Sequence, residues 1–493
     1  MNEGRVGRGR EKYVLFLLIL SVLAVWRMQS IDYAAFDTPE GAFDISHILQ
    51  EVASVTTLVT SSYTTTATNS TKSTRSQTSA SSLSQRRKPK ATIAYAVSIT
   101  ACHPNELSVG FTSGAAVLKH SIHLSSIRNT NSTSQYDYRL VAFVHPTATL
   151  CVPVLEQLGY QILVRETPVN VTEIKNNTAM VNRVMKSGCC GEKEFLKLYS
   201  YTLSEYPAVV HLDLDTVILQ PLDDLFDVML LPPDANLATP ASKLIHHAMW
   251  TPNVTHAVNA FFTRDYPMVN PGRKPDRVGV QGGFLVVRPN QQVFDELCAI
   301  IMAGHFVPGP GWGGKKLRYG GYYGAAQIQG LLSYFYGHFH PDTFVELNRC
   351  YYNQMADPPK DKKRNVCLTG EEHCQDCRDT DMADIKSAHF TLCQKPHWCP
   401  NAGDKWLREE VWQGRQAGLC MQLHHEWHWI RDKLEQSWGT SSSISSNDHA
   451  PTNRSATGNV TLNSFGHCVK GKGGRFGYKY IPLVLPTELK EPS

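Results

Sequence analysis

The chain has no apolar run as long as the roughly 20 residues that cross a bilayer as a helix; the uncharged apolar run Tyr13–Trp26 lies between Lys12 and Arg27 and falls short of it. No clean small-x-small cleavage site follows Leu23. Neither charge sign dominates: 48 basic residues against 44 acidic ones give a formal net charge of +4. No long basic stripe interleaved with aromatics is present, which argues against a nucleic-acid partner. There is also no internal repeat, so the chain is not a repeat array. What is present is 493 residues with 42% hydrophobic content, enough to bury a full core and longer than one average domain.

Arg5, Arg8, Arg10 and Lys12 precede the apolar segment 13–26. Basic residues on that side keep the N-terminus cytosolic, Trp26 suits the membrane interface and Arg27 can snorkel. A signal anchor over 13–26 is therefore favoured over a cleaved signal peptide, which is the competing reading. The rest of the chain would then be luminal or extracellular, single-pass type II, as in a Golgi or other secretory-pathway membrane protein. Seven Asn-x-Ser/Thr sequons, at Asn69, Asn131, Asn170, Asn176, Asn253, Asn453 and Asn459, agree with that route. So do thirteen cysteines, six of which (Cys350, Cys367, Cys374, Cys377, Cys393 and Cys399) fall within fifty residues. With His373 and His397 nearby a zinc site is one reading of this insert at 350–399. A disulfide-stapled insert is favoured, because the compartment is oxidising. The odd cysteine is left as a free thiol or as a bridge to a second chain, giving a disulfide-linked dimer.

Residues 27–90 read as a luminal stem, dominated by Ser and Thr from Val52 onward and ending in Arg86-Arg-Lys-Pro-Lys90; such a composition buries too little apolar surface to fold. The folded core is expected over 91–436. It starts with a buried strand at Ala91–Ser98, a helix at Gly114–His123, a strand at Tyr138–Val144, a short helix around Leu155–Leu158 and a strand at Gln161–Val164. Strands alternating with helices imply right-handed crossovers and a mostly parallel Rossmann-like sheet flanked by helices. Glu194–Leu203 reads as helical, Val280–Pro289 as a strand opened by two glycines, and Ala325–Tyr336 as a helix. Ahead of that helix, Gly309–Gly314 and Tyr319–Gly324 form an aromatic, glycine-rich loop, suited to stacking on a sugar but more often explained by loop packing. Residues 437–493 read mainly as a polar tail, with some order around Phe476–Leu485.

The most informative segment is Ala208-Val-Val-His-Leu-Asp-Leu-Asp-Thr-Val-Ile-Leu219. Val209–Leu212 reads as the strand that delivers the paired aspartates to the carboxyl end of the sheet, where open sheets of this class gather ligands, and strand alternation would put Asp213 and Asp215 on one face. Two anions at that spacing call for a cation, and oxygen ligands completed by substrate phosphates are typical of Mg²⁺ or Mn²⁺ sites that handle nucleotides. Taken alone, Asp-x-Asp is most often a pair of solvated carboxylates. Its apolar flanks and the following Gln220-Pro-Leu-Asp-Asp-Leu-Phe226 set this one apart.

Four segments in order make the core from about Ala91 to Trp398 resemble the glycogenin-like glycosyltransferases of family 8. Phe195-Leu-Lys-Leu-Tyr199 resembles the donor-binding lysine segment and His211–Leu219 the Asp-x-Asp strand. Val280-Gln-Gly-Gly-Phe284 with Arg288-Pro289 resembles the strand beside the transferred sugar, followed by the helix of Gln329-Gly-Leu-Leu332. His389-Phe-Thr-Leu-Cys-Gln-Lys395-Pro396, with Trp398, resembles the closing His-Phe-x-Gly-x-x-Lys-Pro-Trp motif. The resemblance implies a GT-A type fold, a UDP-sugar donor bound through Lys197, Asp213, Asp215 and Lys395, and a retaining transfer to a glycan or glycoprotein acceptor. It implies metal ligation by Asp213, Asp215 and His389, catalytic roles for Gln281, Gln329 and Lys395, and attachment to a membrane through 13–26. The imidazole of His389 favours Mn²⁺, with Mg²⁺ as the other candidate.

The chain departs from the pattern at four places. Ile328 stands where an acid is expected, Gln281 where Asn is frequent and Leu392 at the motif glycine, while His397 is inserted before Trp398. Sugar identity and retention are therefore less secure than donor binding. Two alternatives follow, a self-glucosylating glycogenin, whose priming chemistry belongs in the cytosol, and a sugar-binding scaffold that has lost turnover.

Overall fold

A computed structural model describes residues 87–104, 110–174, 177–186, 190–232, 248–250, 257–398, 415–439, 467–470 and 478–487. The segment 13–26 and nearly all of the stem at 27–90 lie outside the described residues.

The central sheet follows from runs that are apolar on both faces. In β1 (Thr92–Ile99), Ile93, Tyr95, Val97 and Ile99 pack into one apolar layer while Ala94 and Ala96 pack into the other. A strand buried on both sides needs helices above and below it. β2 (Asp137–Val144) and β3 (Gln161–Val164) extend the sheet on one side of β1 and β4 (Val209–Leu212) on the other, all parallel. One layer holds α1 (Thr112–Leu124), α2 (Val152–Gln157) and, after the short β5 (Thr216–Ile218), α4 (Asp223–Met229). The other holds α3 (Thr178–Lys186), the 3₁₀ run Gly191–Thr202, and later α5 (Gln291–Ala303) and α6 (Ile328–Tyr334).

Beyond β4 the direction changes. β6 (Ala248–Trp250), β7 (Ala260–Arg264) and β8 (Val280–Val287) follow, and β8 runs antiparallel between β4 and β7. β9 (Phe306–Val307) and β10 (Gly311–Trp312) form a small hairpin; β11 (Phe344–Leu347) pairs parallel with β7 and antiparallel with β6. The eight-stranded order is β3-β2-β1-β4-β8-β7-β11-β6. The expected mostly parallel α/β sheet is what the described residues form.

Several expectations are corrected. β4 spans Val209–Leu212 as expected, but Asp213–Asp215 beyond it form a turn closed by the Thr216 N–H donating to the Asp213 carbonyl at 3.1 Å. The aspartates thus converge through a turn and not through strand alternation. The helix read from Ala325 begins at Ile328, because the preceding glycine-rich loop is committed to packing. In that loop Trp312, Tyr319 and Tyr322 are buried among core residues and Trp312 Nε1 donates to the Ala325 carbonyl at 2.9 Å; Tyr323 is exposed. Packing explains the loop's aromatics.

The insert is disulfide-built among the described residues: Cys350 is bridged to Cys377, Cys367 to Cys374, and Cys393 to Cys420; Cys102 bridges Cys151. Among the described residues Cys298 is a free thiol, half-buried, with burial pushing its pKa up to about 12, so it is a poor nucleophile. β12 (Ser387–His389) precedes α7 (Arg415–Ser437), whose Leu419, Leu423, Trp427 and Ile430 cluster with Val117, Ala388 and Phe390. Part of the chain beyond 437 also joins the core: β13 (Cys468–Lys470) pairs with β14 (Tyr478–Tyr480), and Tyr480 and Leu483 are buried.

One buried ion pair fixes the β7–β11 junction. Glu346 accepts from Arg264 Nε at 2.9 Å and from the Tyr266 hydroxyl at 2.7 Å, and neither charged side chain reaches solvent. Glu346→Ala would leave an uncompensated guanidinium, so it should lower the unfolding free energy by about 3–5 kcal/mol in chemical denaturation. A loss under 1 kcal/mol would show that water reaches Arg264.

Candidate active site

The carboxyl ends of β1 and β4 are where an open α/β sheet gathers its ligands, and Asp213 follows β4 directly. Its N–H donates to the Gly283 carbonyl of β8 at 3.2 Å. After the turn, β5 pairs antiparallel with β12, setting Thr216 opposite His389, and the Phe390 N–H donates to the Asp215 carbonyl at 2.9 Å. This two-stranded ribbon delivers His389 to the aspartates. Its Nε2 lies 3.4 Å from Asp215 Oδ1 and 4.0 Å from Asp213 Oδ2. Gly283 makes room for it, since a Cβ there would collide with the imidazole.

The charges around the turn are matched closely. Lys197 Nζ is 2.9 Å from Asp213 Oδ1 and 3.3 Å from Glu194, and donates to the Gly282 carbonyl at 3.0 Å. Burial would lower the Lys197 pKa, but Asp213 and Glu194 outweigh it and push the pKa up, so the side chain stays charged. Burial would likewise raise the Asp213 pKa, and Lys197 with His389 hold it below its ordinary value. His389 is buried, which lowers its pKa against the opposing field of Asp213 and keeps the ring neutral. Lys395 contacts Asp215 directly from the rim of the site, about one-third exposed.

One ligand atom from each of Asp213, Asp215 and His389 can be chosen so that all lie within 4.8 Å of one another. Two carboxylates and a neutral imidazole suit a divalent transition ion, and His389 Nε2, the ring nitrogen that faces both aspartates, is also 2.8 Å from the Thr391 hydroxyl. The residues present fit such a cation.

The remaining expected residues are nearby but occupied. Gln281 is folded back, its Oε1 accepting from the Gly283 N–H at 2.6 Å. Gln329 hydrogen-bonds the carboxyl of Asp265. Ile328 is buried in the core, packed behind Gly282. His211, beside the aspartates in sequence, is a core residue whose ring bonds Ser200 at 2.8 Å and Ser98 at 3.2 Å; burial takes its pKa down to about 3.

Asp265 is the residue that sequence reasoning missed. It follows β7 as Asp213 follows β4, an acid just beyond an apolar strand, and that signal was present in Ala260-Phe-Phe-Thr-Arg-Asp265. Burial raises its pKa to about 6, with Asp357 adding to the effect and His389 opposing it. A buried carboxyl that titrates near neutrality beside Gln329 is a candidate for binding substrate hydroxyls or for proton traffic.

The sequence matches no family model and no curated protein. Solved structures similar to it include mouse xyloside xylosyltransferase 1 in its apo form, 13% identical, covering 60% of this chain and 97% of that one with a TM-score of 0.36. The galactosyltransferase LgtC in complex with donor and acceptor sugar analogs is 13% identical, covering 68% and 95%, with a TM-score of 0.31. The apo glycosyltransferase GlyE of Streptococcus pneumoniae is 12% identical, covering 69% and 64%, with a TM-score of 0.32.

A carboxyl whose folded pKa lies above its unfolded one stabilises the protonated folded state. That contribution is complete below the ordinary Asp pKa and is lost as pH rises through about 6. Replacing Asp265 by Asn should therefore stabilise the metal-free protein at pH 8 relative to pH 4, by up to about 3 kcal/mol in parallel denaturant titrations. An equal effect at both pH values would mean that Asp265 is solvated.

Proposed function

We propose that this chain is a metal-dependent glycosyltransferase that moves a sugar from a nucleotide sugar, UDP-linked, to a glycan or glycoprotein acceptor with retention. The observation that carries this reading is the convergence of Asp213, Asp215 and His389 on one point, with Lys395 at the rim. The sequence resemblance to glycogenin-like enzymes of family 8, and through it the GT-A type fold, supports it. A type II anchor at 13–26 and a secretory-lumen setting such as the Golgi are part of the proposal. The disulfides support that setting, as do Asn131 and Asn170, sequon residues that are both exposed.

A divalent cation held by Asp213, Asp215 and His389 would supply Lewis-acid stabilisation of the leaving diphosphate. The protein's own groups do the rest. Lys197 keeps Asp213 ionised and oriented from beneath. Lys395, paired with Asp215 here, turns to the diphosphate as charge grows on it. Gly282 and Gly283 let the backbone approach the sugar side, where Gln329 and Asp265 present a hydrogen-bonding pair. That pair supplies an acid beside Gln329 despite Ile328, which weakens the case for an inactive scaffold.

The test is release of UDP from UDP-sugars by the purified full-length chain, with and without Mn²⁺. Metal-dependent release is expected, and Asp215→Ala should abolish it with the circular dichroism spectrum unchanged. Lys395→Ala should lower kcat by roughly 10²-fold or more while donor affinity changes less, because its contact strengthens in the transition state. Turnover retained in Asp215→Ala, or near-normal kcat in Lys395→Ala at saturating donor, would overturn these assignments.

A further inference from the structure

A second cluster of metal-ligand type lies outside the site described above. α7 presents Asp432 and Glu435, three residues apart and so on one helical face, to His467, which immediately precedes β13. His467 Nε2 is 3.1 Å from Asp432 Oδ1 and 3.3 Å from Glu435 Oε2. The three ligand atoms fall within 4.8 Å of one another, and Asp432 and His467 are buried.

Hydrogen bonding alone does not satisfy this cluster. Glu435 Oε1 is held by Arg431, through Nη2 at 2.8 Å and Nε at 3.0 Å, which leaves Oε2 facing His467. A proton on His467 Nε2 would serve Glu435 Oε2. Asp432 Oδ1, on a residue only 8% exposed, has no hydrogen-bond partner. A buried carboxylate oxygen without a donor is costly. Arg431 balances one of the two carboxylates, and a single Nε2 proton on His467 cannot serve both Asp432 Oδ1 and Glu435 Oε2. On the far side of the ring, His467 Nδ1 lies 3.1 Å from His428 Nδ1. If His467 carries its proton there and donates it to His428, the Nε2 lone pair points between the two carboxylates. An outer-shell partner that fixes the tautomer of a ligating histidine is a recurrent feature of metal sites.

We infer that Asp432, Glu435 and His467 bind a second divalent cation, of the zinc class. One ion among the three atoms gives Asp432 Oδ1 its missing partner and sets positive charge between the two carboxylates. The imidazole selects a transition metal over Ca²⁺ or Mg²⁺, and three protein ligands with one water complete a tetrahedral zinc shell. The site joins the β13–β14 hairpin to α7, where Arg431 Nη1 donates to the Ile481 carbonyl at 2.7 Å and the His467 carbonyl accepts from the Ile481 N–H at 2.8 Å. α7 in turn carries Cys420, whose bridge to Cys393 lies within the segment 389–398. The cation thus pins the C-terminal hairpin to the helix that braces the catalytic motif. This inference stands independently of the transferase reading.

The test uses the full chain with Asp213→Asn and Asp215→Asn, which removes the first site. Zn²⁺ is titrated against a chromophoric chelator while thermal unfolding is followed. One equivalent per chain and a higher Tm are expected. Adding His467→Gln or Asp432→Asn should weaken binding by more than the roughly 10–100-fold that outer-shell losses cause, and should remove the Tm shift. Should either variant fail to fold, Glu435→Gln keeps the shape and the Arg431 contact and gives the same readout. No equivalent of Zn²⁺ in the Asp213→Asn, Asp215→Asn chain, unchanged affinity in the added variants, or tighter binding of Mn²⁺ than of Zn²⁺ would overturn the inference.

Discussion

Two carboxylates at the mouth of an apolar sheet repel one another and lose hydration, so Asp213 and Asp215 persist as anions only where opposite charge is supplied at close range. Lys197 supplies it from the 3₁₀ run beneath, Lys395 from the motif segment at the rim, and the neutral ring of His389 offers a lone pair between them. Each partner comes from a different part of the chain. β8 must lie beside β4 for Gly282 to hold Lys197 and for Gly283 to admit His389. β12 must pair with β5 to carry His389 in, and the Cys393–Cys420 bridge ties the segment beyond it to α7. The sheet order, the ribbon and the bridge all answer to the same electrostatic requirement.

The same logic accounts for the strain at the site. Asp265 is buried deeply enough to hold its proton to about pH 6, and close by Arg349 is sealed against Asp357 at 2.6 Å. Ala356, beside Asp357, adopts a left-handed backbone that a non-glycine residue rarely takes. Left-handed backbone and a buried carboxyl thus fall in one place, and both cost stability. The flanking layers are ordinary by comparison, with strands apolar on both faces and helices covering each side.

Much of the fold was legible because it rests on short-range pattern. The apolar runs of β1, β2, β3, β4 and β8 fall within a residue or two of where periodicity puts them, and α1 likewise. The glycine-rich loop before α6 was less legible, since aromatics among glycines read equally well as a binding platform until Trp312 and Tyr322 are seen packed inside. Beyond 437 the sequence looks polar apart from the stretch around Phe476–Leu485, where Tyr480 and Leu483 pack into the core; that His467 faces α7 was not legible. Composition averages over a segment and misses a few anchoring side chains.

By itself the sequence determined the α/β class, the strand that ends at the paired aspartates and the six-residue step from His389 to Lys395, because each is carried by local periodicity or by adjacent residues. It favoured disulfides over zinc for the insert, and the described bridges Cys350–Cys377, Cys367–Cys374 and Cys393–Cys420 agree. Only the tertiary structure decided that Asp213 and Asp215 meet through a turn, that Lys197 faces inward, that Asp265 joins Gln329, and that Asp432, Glu435 and His467 converge. These depend on pairings between segments far apart in the chain, such as β5 with β12 and α7 with His467. Such pairings are set by the closure of the whole core, which no local window of sequence encodes.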